Sequence, residues 1–446
     1  MLVISTLEIV MKTTIFLALL AISVSANANA QTVTTVVNNG ASNNRVDIVF
    51  VGDGYRSSQI NTTYAAHVNQ TIDSFFNGGS VANPYPRYKN FFNVHRVNVI
   101  SNESGADDPV NGTTVDTALD ATYNYNGIAD RCLYFNTSKA NAAVNSALSG
   151  TSIDVDVRLG AVNSTKFGGC GGSWAVWSAS NSFALDVAIH EVAHSFADLA
   201  DEYFLSGTTW TGGEIDRVNI TTDPAFGKWD RWLGYDDPDT NIGPIDYYEG
   251  GRYYQFGTFR PSNNSMMRNL GRPLDAIGRE RVLEVIFSEV QPLDDWSDET
   301  LEYSGADTVW VDTVDPAVIS VEWFLDGVSL GIFGESIEIA SLGLAQGEYL
   351  LEAFAYDEIL DHSFSNDSLD WWRLADTSLL EQTISFDLKI PLLGDVNQDG
   401  SVTFADISSF VAILQAGTYL EEADANQDGA VTFLDISPFI AILQAQ

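Results

Sequence analysis

Apolar and polar residues alternate along the first half of the chain in blocks whose lengths suit strands and helices in turn. Val46 to Val51 is a short apolar run ending in Gly52-Asp53-Gly54-Tyr55, and Ser57 to Phe76 then keeps a helix-compatible pattern. Phe91 to Ile100 predicts a second strand, Cys132 to Phe135 a third with a helix over Ala140 to Leu148, and Ile153 to Val162 a fourth. This alternation predicts an α/β layer. Gly168-Gly169-Cys170-Gly171-Gly172 interrupts it, and Phe183 to Ala200 resumes a helical period.

From about Asp298 the texture changes to short strand-like runs: Thr308 to Asp312, Ile319 to Leu325, Ser336 to Ile339, Gly347 to Asp357 and Thr383 to Leu388. Their spacing predicts an all-β sandwich of immunoglobulin-like type. Trp323 to Gly327 reads as a strand entering a tight hairpin, because Asp-Gly tolerates the positive φ angles of a type I′ turn. This stretch carries no catalytic constellation, so spacing or packing is its expected role. A repeat follows from Gly394: Asp395-Val396-Asn397-Gln398-Asp399-Gly400 returns as Asp424-Ala425-Asn426-Gln427-Asp428-Gly429, and Ala412 to Ala416 returns as Ala441 to Ala445.

Composition narrows the function. With 21 Lys+Arg against 60 Asp+Glu the net charge is −39, which repels nucleic acid and anionic lipid and suits a cation-rich medium. Lys12, the apolar run Ile15 to Val24 and the small residues Ala26 to Ala30 have the order of a secretory signal, with translation starting at Met11 and cleavage after Ala28 or Ala30. Its apolar core of about ten residues is half of what a bilayer span needs, and no later segment is long enough, so an exported chain without a membrane span is expected. The expected parts are a signal peptide at 1–30, an α/β domain at 31–297, the β domain at 298–391 and a repeat module at 392–446. Cys132 and Cys170 are the only cysteines: they suit one disulfide in an exported protein, and Cys170 equally suits a small residue at a close backbone approach.

The chain has five histidines, and two of them flank a glutamate as His190-Glu191-Val192-Ala193-His194. Four residues apart on a helix, the two imidazoles share a face and can meet one zinc ion about 2 Å away. Glu191 is then placed to act as general base on a metal-bound water and to pass the proton to a leaving amine, which is the chemistry of peptide hydrolysis. His67, His95 and His362 read as hydrogen-bonded core residues. Catalytic zinc takes three protein ligands, so a third is required. Asp198 lies too close along the helix, Asp201 is the first choice if the helix ends around Asp198 to Ala200, and Glu202 is the runner-up. Tyr203, Tyr253 and Arg268 are unranked candidates to donate to the oxyanion of the tetrahedral intermediate.

His190 to Tyr203, running into Leu199-Ala200-Asp201-Glu202-Tyr203, resembles the signature of the bacterial IgA-peptidase-type zinc metallopeptidases. Val51 to Tyr55, Val162-Asn163-Ser164 with the glycine cluster, Tyr247 to Tyr254, and Arg260-Pro261 through Ser265-Met266-Met267-Arg268 are similar to other landmarks of that family, across about residues 40 to 295. The resemblance implies a metzincin-like zinc endopeptidase in which Met266 or Met267 floors the metal site. The chain departs from the metzincin pattern at Ala197, where a glycine often bends the helix, and at Ala200, where a third histidine would stand.

In the tail, Asp395, Asn397, Asp399, Thr403 and Asp406, and again Asp424, Asn426, Asp428, Thr432 and Asp435, fill positions 1, 3, 5, 9 and 12 of a calcium loop. Ser401 and Ala430 offer backbone carbonyls at position 7, and Gly400 and Gly429 serve the sharp turn at position 6. Two such loops, each followed by one helix, resemble a type I dockerin module, which implies two Ca2+ ions and a cohesin-bearing partner. The leading expectation is a secreted zinc endopeptidase, with one catalytic Zn2+, docked through its tail to act on a protein or peptide. A non-catalytic adhesion or scaffold protein with a structural metal, and a zinc hydrolase of another amide or ester, are the alternatives.

Overall fold

The structure is a computed structural model that describes residues 31–238, 240–305, 307–360 and 370–445. The expected signal peptide at 1–30, with Met11, and His362 lie outside the described residues. The described chain forms two compact units, one of residues 31–37, 47–71 and 94–192, the other of 38–46, 72–93 and 193–445.

The first unit is built on a six-stranded sheet. Its strands are β1 (Thr32–Val37), β2 (Val46–Asp53), β3 (Phe92–Asn98), β4 (Val157–Val162), β5 (Gly169–Cys170) and β6 (Ala175–Ser178), in the order β1-β3-β2-β4-β6-β5. The pairs β2–β4 and β4–β6 are parallel, while β1 and β5 pair antiparallel with β3 and β6. All eight residues of β2 are buried, as a continuous apolar strand covered on both faces requires. Helices α1 (Ala65–Asn77), α2 (Thr137–Leu148) and α3 (Ala184–Ser195) follow the chain between and after these strands. Val49, Val51, Val97, Phe135, Val144 and Trp174 form part of one core cluster here. Buried Asp53, at the end of β2, accepts from the Leu119 and Ala121 amides and from the Ser101 and Thr117 hydroxyls, tying down the loop before α2.

Four predicted elements differ in detail: the strand expected from Ile153 begins at Val157, the helix expected from Ser57 opens with 3-10 and π turns before Ala65, and two others depart further. Cys132 to Phe135 is not a strand: Tyr134 makes a single bridge to Thr122, and Cys132 is disulfide-bonded to Cys170 on β5. The apolar residues of that run fill the core from an irregular segment, with Leu133 and Phe135 fully buried. The predicted helix over Phe183 to Ala200 stops at Ser195 because the Leu199 amide bonds back to the Ala193 carbonyl and Asp198 turns left-handed, with φ 53°.

The second unit contains a small sheet of β7 (Phe204–Thr209), β8 (Tyr248–Gly251) and β9 (Tyr253–Arg260), in the order β7-β9-β8, and helix α4 (Ala276–Glu289), capped by the Asp275 carboxylate. Then come β10 (Leu293–Trp296), β11 (Glu302–Tyr303), β12 (Thr308–Thr313), β13 (Ile319–Leu325), β14 (Val328–Phe333), β15 (Ser336–Glu338), β16 (Gly347–Asp357) and β17 (Glu381–Ile390). They form a three-stranded sheet, β10-β12-β15, and a five-stranded sheet, β11-β17-β16-β13-β14. Alternate residues are buried along β12, β13 and β16, the signature of sheets with one covered face. The β13–β14 turn has positive φ at Asp326 and Gly327, as its Asp-Gly pair predicts. Strands β10, β11 and β14 were not predicted, since each is short or carries exposed residues that blur the alternation.

The tail contains α5 (Asp406–Ala416) and α6 (Ile436–Gln444), one after each repeat. Phe410 and Phe439, equivalent in the repeats, stack with centroids 4.0 Å apart inside a small core with Val396, Val402 and Leu443. Among the described residues no helix is long and apolar enough to cross a membrane.

Candidate metal centres

Helix α3 and the segment after it carry the first centre. His190, His194 and Asp201 each offer one ligand atom, and these atoms all lie within 4.8 Å of one another. Donors about 2.1 Å from a tetrahedral ion stand roughly 3.4 Å apart. His194 Nε2 and Asp201 Oδ1 are 3.3 Å apart, so this pair already has that spacing. His194 Nδ1 lies 2.6 Å from the Leu199 carbonyl, which fixes the ring and turns Nε2 toward the cluster. The early helix end matters here: the left-handed Asp198 lets the chain double back so that Asp201 returns to the imidazoles. Asp198 itself is exposed and pairs with Arg217 at 3.0 Å.

Residues 200–203 are gripped on alternating sides. On one side, the Asn219 side chain accepts from the Ala200 amide and donates to the Ala200 carbonyl, both at 2.9 Å, and donates to Glu202 Oε1 at 3.1 Å. Glu202 is not with the imidazoles: it is 1% exposed, its Oε2 accepts from Ser265 Oγ at 2.5 Å, and its amide donates to the Met267 carbonyl at 2.8 Å. Burial, followed by the nearby Asp275 carboxylate, pushes the Glu202 carboxyl well above its ordinary range. Glu202, the runner-up expectation, thus ties Ser265-Met266-Met267, both methionines buried, to the segment that carries Asp201. On the other side, the Arg252 and Tyr253 amides donate to the Asp201 and Tyr203 carbonyls at 2.7 and 2.9 Å.

Of the three oxyanion candidates, Tyr253 donates its hydroxyl to Asp201 Oδ2. Burial and the Asp201 carboxylate push that hydroxyl upward, so it stays protonated as a donor. Tyr203 packs edge-on against the Tyr253 ring at 5.2 Å. The Arg268 guanidinium lies over the Phe204 ring at 5.5 Å.

Glu191 is 7% exposed, and a Cβ at Gly169 of edge strand β5 would lie 2.9 Å from its Oε1. The glycine cluster is therefore part of the site's wall, a role visible in sequence only as a close backbone approach. Asn219 and Tyr253 as partners of residues 200–203 were not legible, because Asn219 sits in a loop and Tyr253 at the turn where β9 begins, and no periodicity reports where either one leads.

The second pair of centres lies in the tail. Asp395 accepts from the Asp399 and Gly400 amides at 3.0 and 2.8 Å, and Asp406 from the Asn397 and Thr403 amides at 3.0 and 2.8 Å. Asp424 and Asp435 repeat the pattern with Asp428, Gly429, Asn426 and Thr432. Carboxylates 1 and 12 of each loop are buried and turned inward, with Gly400 and Gly429 at φ 84° and 83° between them. Such hard oxygen donors wound around one centre fit calcium.

A comparison with curated proteins finds no match. Residues 34–243 match the model of the family IgA Peptidase M64, and residues 393–443 match that of the dockerin type I domain. Two regions of the chain are thus similar to known families, one to a peptidase family and the C-terminal one to a dockerin type I domain.

Proposed function

We propose that the protein is a secreted zinc-dependent endopeptidase of metzincin-like architecture, assembled with a cohesin-bearing partner through two calcium loops. The observation that carries the reading is the convergence of His190, His194 and Asp201 with Glu191 on the same helix. Zinc held by those three residues supplies Lewis acidity toward a water molecule and the scissile carbonyl. Glu191 takes the proton from the attacking water and delivers it to the amine that leaves. Its burial beside β5 keeps bulk water from competing for that carboxylate. Edge strand β5 offers backbone groups on which an extended peptide can add as a further strand. Met266 or Met267 would floor the metal. The strands between Leu293 and Ile390 suit an immunoglobulin-like sandwich.

Glu191→Gln tests the reading, because it keeps size and hydrogen bonding but removes the base. The variant is expected to retain zinc and to lose at least about a hundredfold in cleavage of an unfolded protein substrate. Unchanged cleavage by the variant, or failure of the zinc-loaded wild type to cut any peptide bond, would overturn it.

A further inference from the structure

Arg252 and Tyr253, at the tip of the β8–β9 hairpin, are consecutive residues with φ 49° and 71°. A two-residue turn with both angles positive is ordinarily filled by Asn-Gly or a similar pair, and a bulky side chain in that region is an outlier. Strained backbone of this kind persists where surrounding contacts hold it. Here the contacts are specific. The Arg252 amide donates to the Asp201 carbonyl, the Tyr253 amide to the Tyr203 carbonyl, and the Tyr253 hydroxyl to Asp201 Oδ2. The same turn that strains the tip therefore delivers three donors to the ligand segment, two of them to Asp201 itself.

Asp201 has two carboxylate oxygens: Oδ1 is the one 3.3 Å from His194 Nε2, and Oδ2 is the one Tyr253 occupies. From this geometry we infer that the hairpin tip is the positioning device of the metal site: Tyr253 holds Asp201 as a one-oxygen ligand through Oδ1. Holding the second oxygen keeps the carboxylate from closing on the ion with both, and so preserves an open position for water and substrate. Arg252 contributes through its amide, so its side chain is dispensable to the role. The inference rests on the proposed zinc site, and the test separates the two.

Zinc affinity of the full-length protein, measured by competition with a chromogenic chelator, is compared among wild type, Asp201→Asn, Tyr253→Phe and Arg252→Gly. Tyr253→Phe is expected to weaken zinc binding about 10- to 100-fold, with kcat falling more than KM rises and with unchanged circular dichroism. Arg252→Gly, which keeps the amide, is expected to bind zinc as wild type does. If Asp201→Asn loses affinity and Tyr253→Phe does not, the positioning role is overturned while the zinc site stands. If Asp201→Asn also binds normally, the ligand assignment fails and the inference with it. Should Tyr253→Phe lose its fold, the circular dichroism reports it and Tyr253→His, which retains a ring donor, is expected to restore affinity; failure to restore it in a folded variant overturns the role.

Discussion

Gly169 leaves no room for a methyl group. A Cβ there would stand 2.5 Å from Val187 Cγ1 and 2.9 Å from Glu191 Oε1, both on α3. Overpacking of this kind costs about 1–3 kcal/mol and relaxes by moving whichever neighbour gives most easily. Glu191 is the longer and softer of the two side chains, so Gly169→Ala is expected to displace this proposed general base while leaving the histidines in place. A displacement that raises the barrier by about 1.4 kcal/mol lowers kcat tenfold. The expected result is a loss of that size or more with full zinc content, measured by steady-state kinetics and elemental analysis on one preparation. Normal kcat in a folded Gly169→Ala protein would show that Glu191 tolerates the methyl group. The meeting of His190, His194 and Asp201 was readable because helical spacing and metal chemistry together restrict the residue types. The wall at 169 was only half readable: glycine announces a close approach without naming what approaches.

Elements without periodicity carry much of the site's support, and the loop between β7 and β8 is the clearest case. The Lys228 ammonium donates to the carbonyls of Ile215, Arg217 and Ile220 at 2.5 to 2.9 Å and pairs with Glu214 at 2.6 Å. It thereby closes the loop from which Asn219 reaches Ala200 and Glu202. Burial raises the Glu214 carboxyl, but Lys228 and two bonds from Thr222 outweigh it and bring it down to about 2 from an ordinary 4.5. A depressed folded value means that this stabilisation is present above pH 4.5 and is lost as pH falls toward about 2. Wild type is therefore expected to lose more stability than Glu214→Gln over that window, as urea midpoints taken at intervals between pH 5 and 2 would register. Parallel curves for the two proteins would remove Glu214 from the account. Regular elements were legible where a buried face enforced a period, as in β2, β13 and α3. The course of this loop was not, because it is set by one ammonium meeting three carbonyls, an arrangement with no spacing rule.

At the scale of the molecule, the β strands were expected to space or pack, and their contacts within the second unit favour an integral part over a spacer. Asp357, at the end of β16 and fully buried, pairs with Arg87 at 2.9 Å and accepts from the Tyr88 hydroxyl at 2.5 Å. Farther along, Trp371 and Trp372 are buried, the Arg279 guanidinium lies 5.3 Å over the Trp371 ring, and the Arg373 amide donates to Glu280 Oε1 on α4 at 2.7 Å. Arg373 also lies 4.4 Å over the ring of Trp232, whose indole N–H donates to the other oxygen of Glu280. Removing the chain after Ser297 would take Asp357 from Arg87, the Arg373 amide from Glu280 and the Trp371 ring from Arg279, and breaking one buried pair alone costs about 3–5 kcal/mol. The dockerin-like tail, by contrast, has a core of its own around Phe410 and Phe439. A chain ended at Pro391 is therefore expected to keep zinc-dependent cleavage, whereas one ended at Ser297 is expected to be unfolded or insoluble. Asp357→Ala in the full-length protein is expected to lower stability by the buried-pair amount, about 3–5 kcal/mol, in denaturant titration. A soluble, active protein ended at Ser297 would return the β strands to the role of spacer, and the buried partners of Asp357 would then need another explanation.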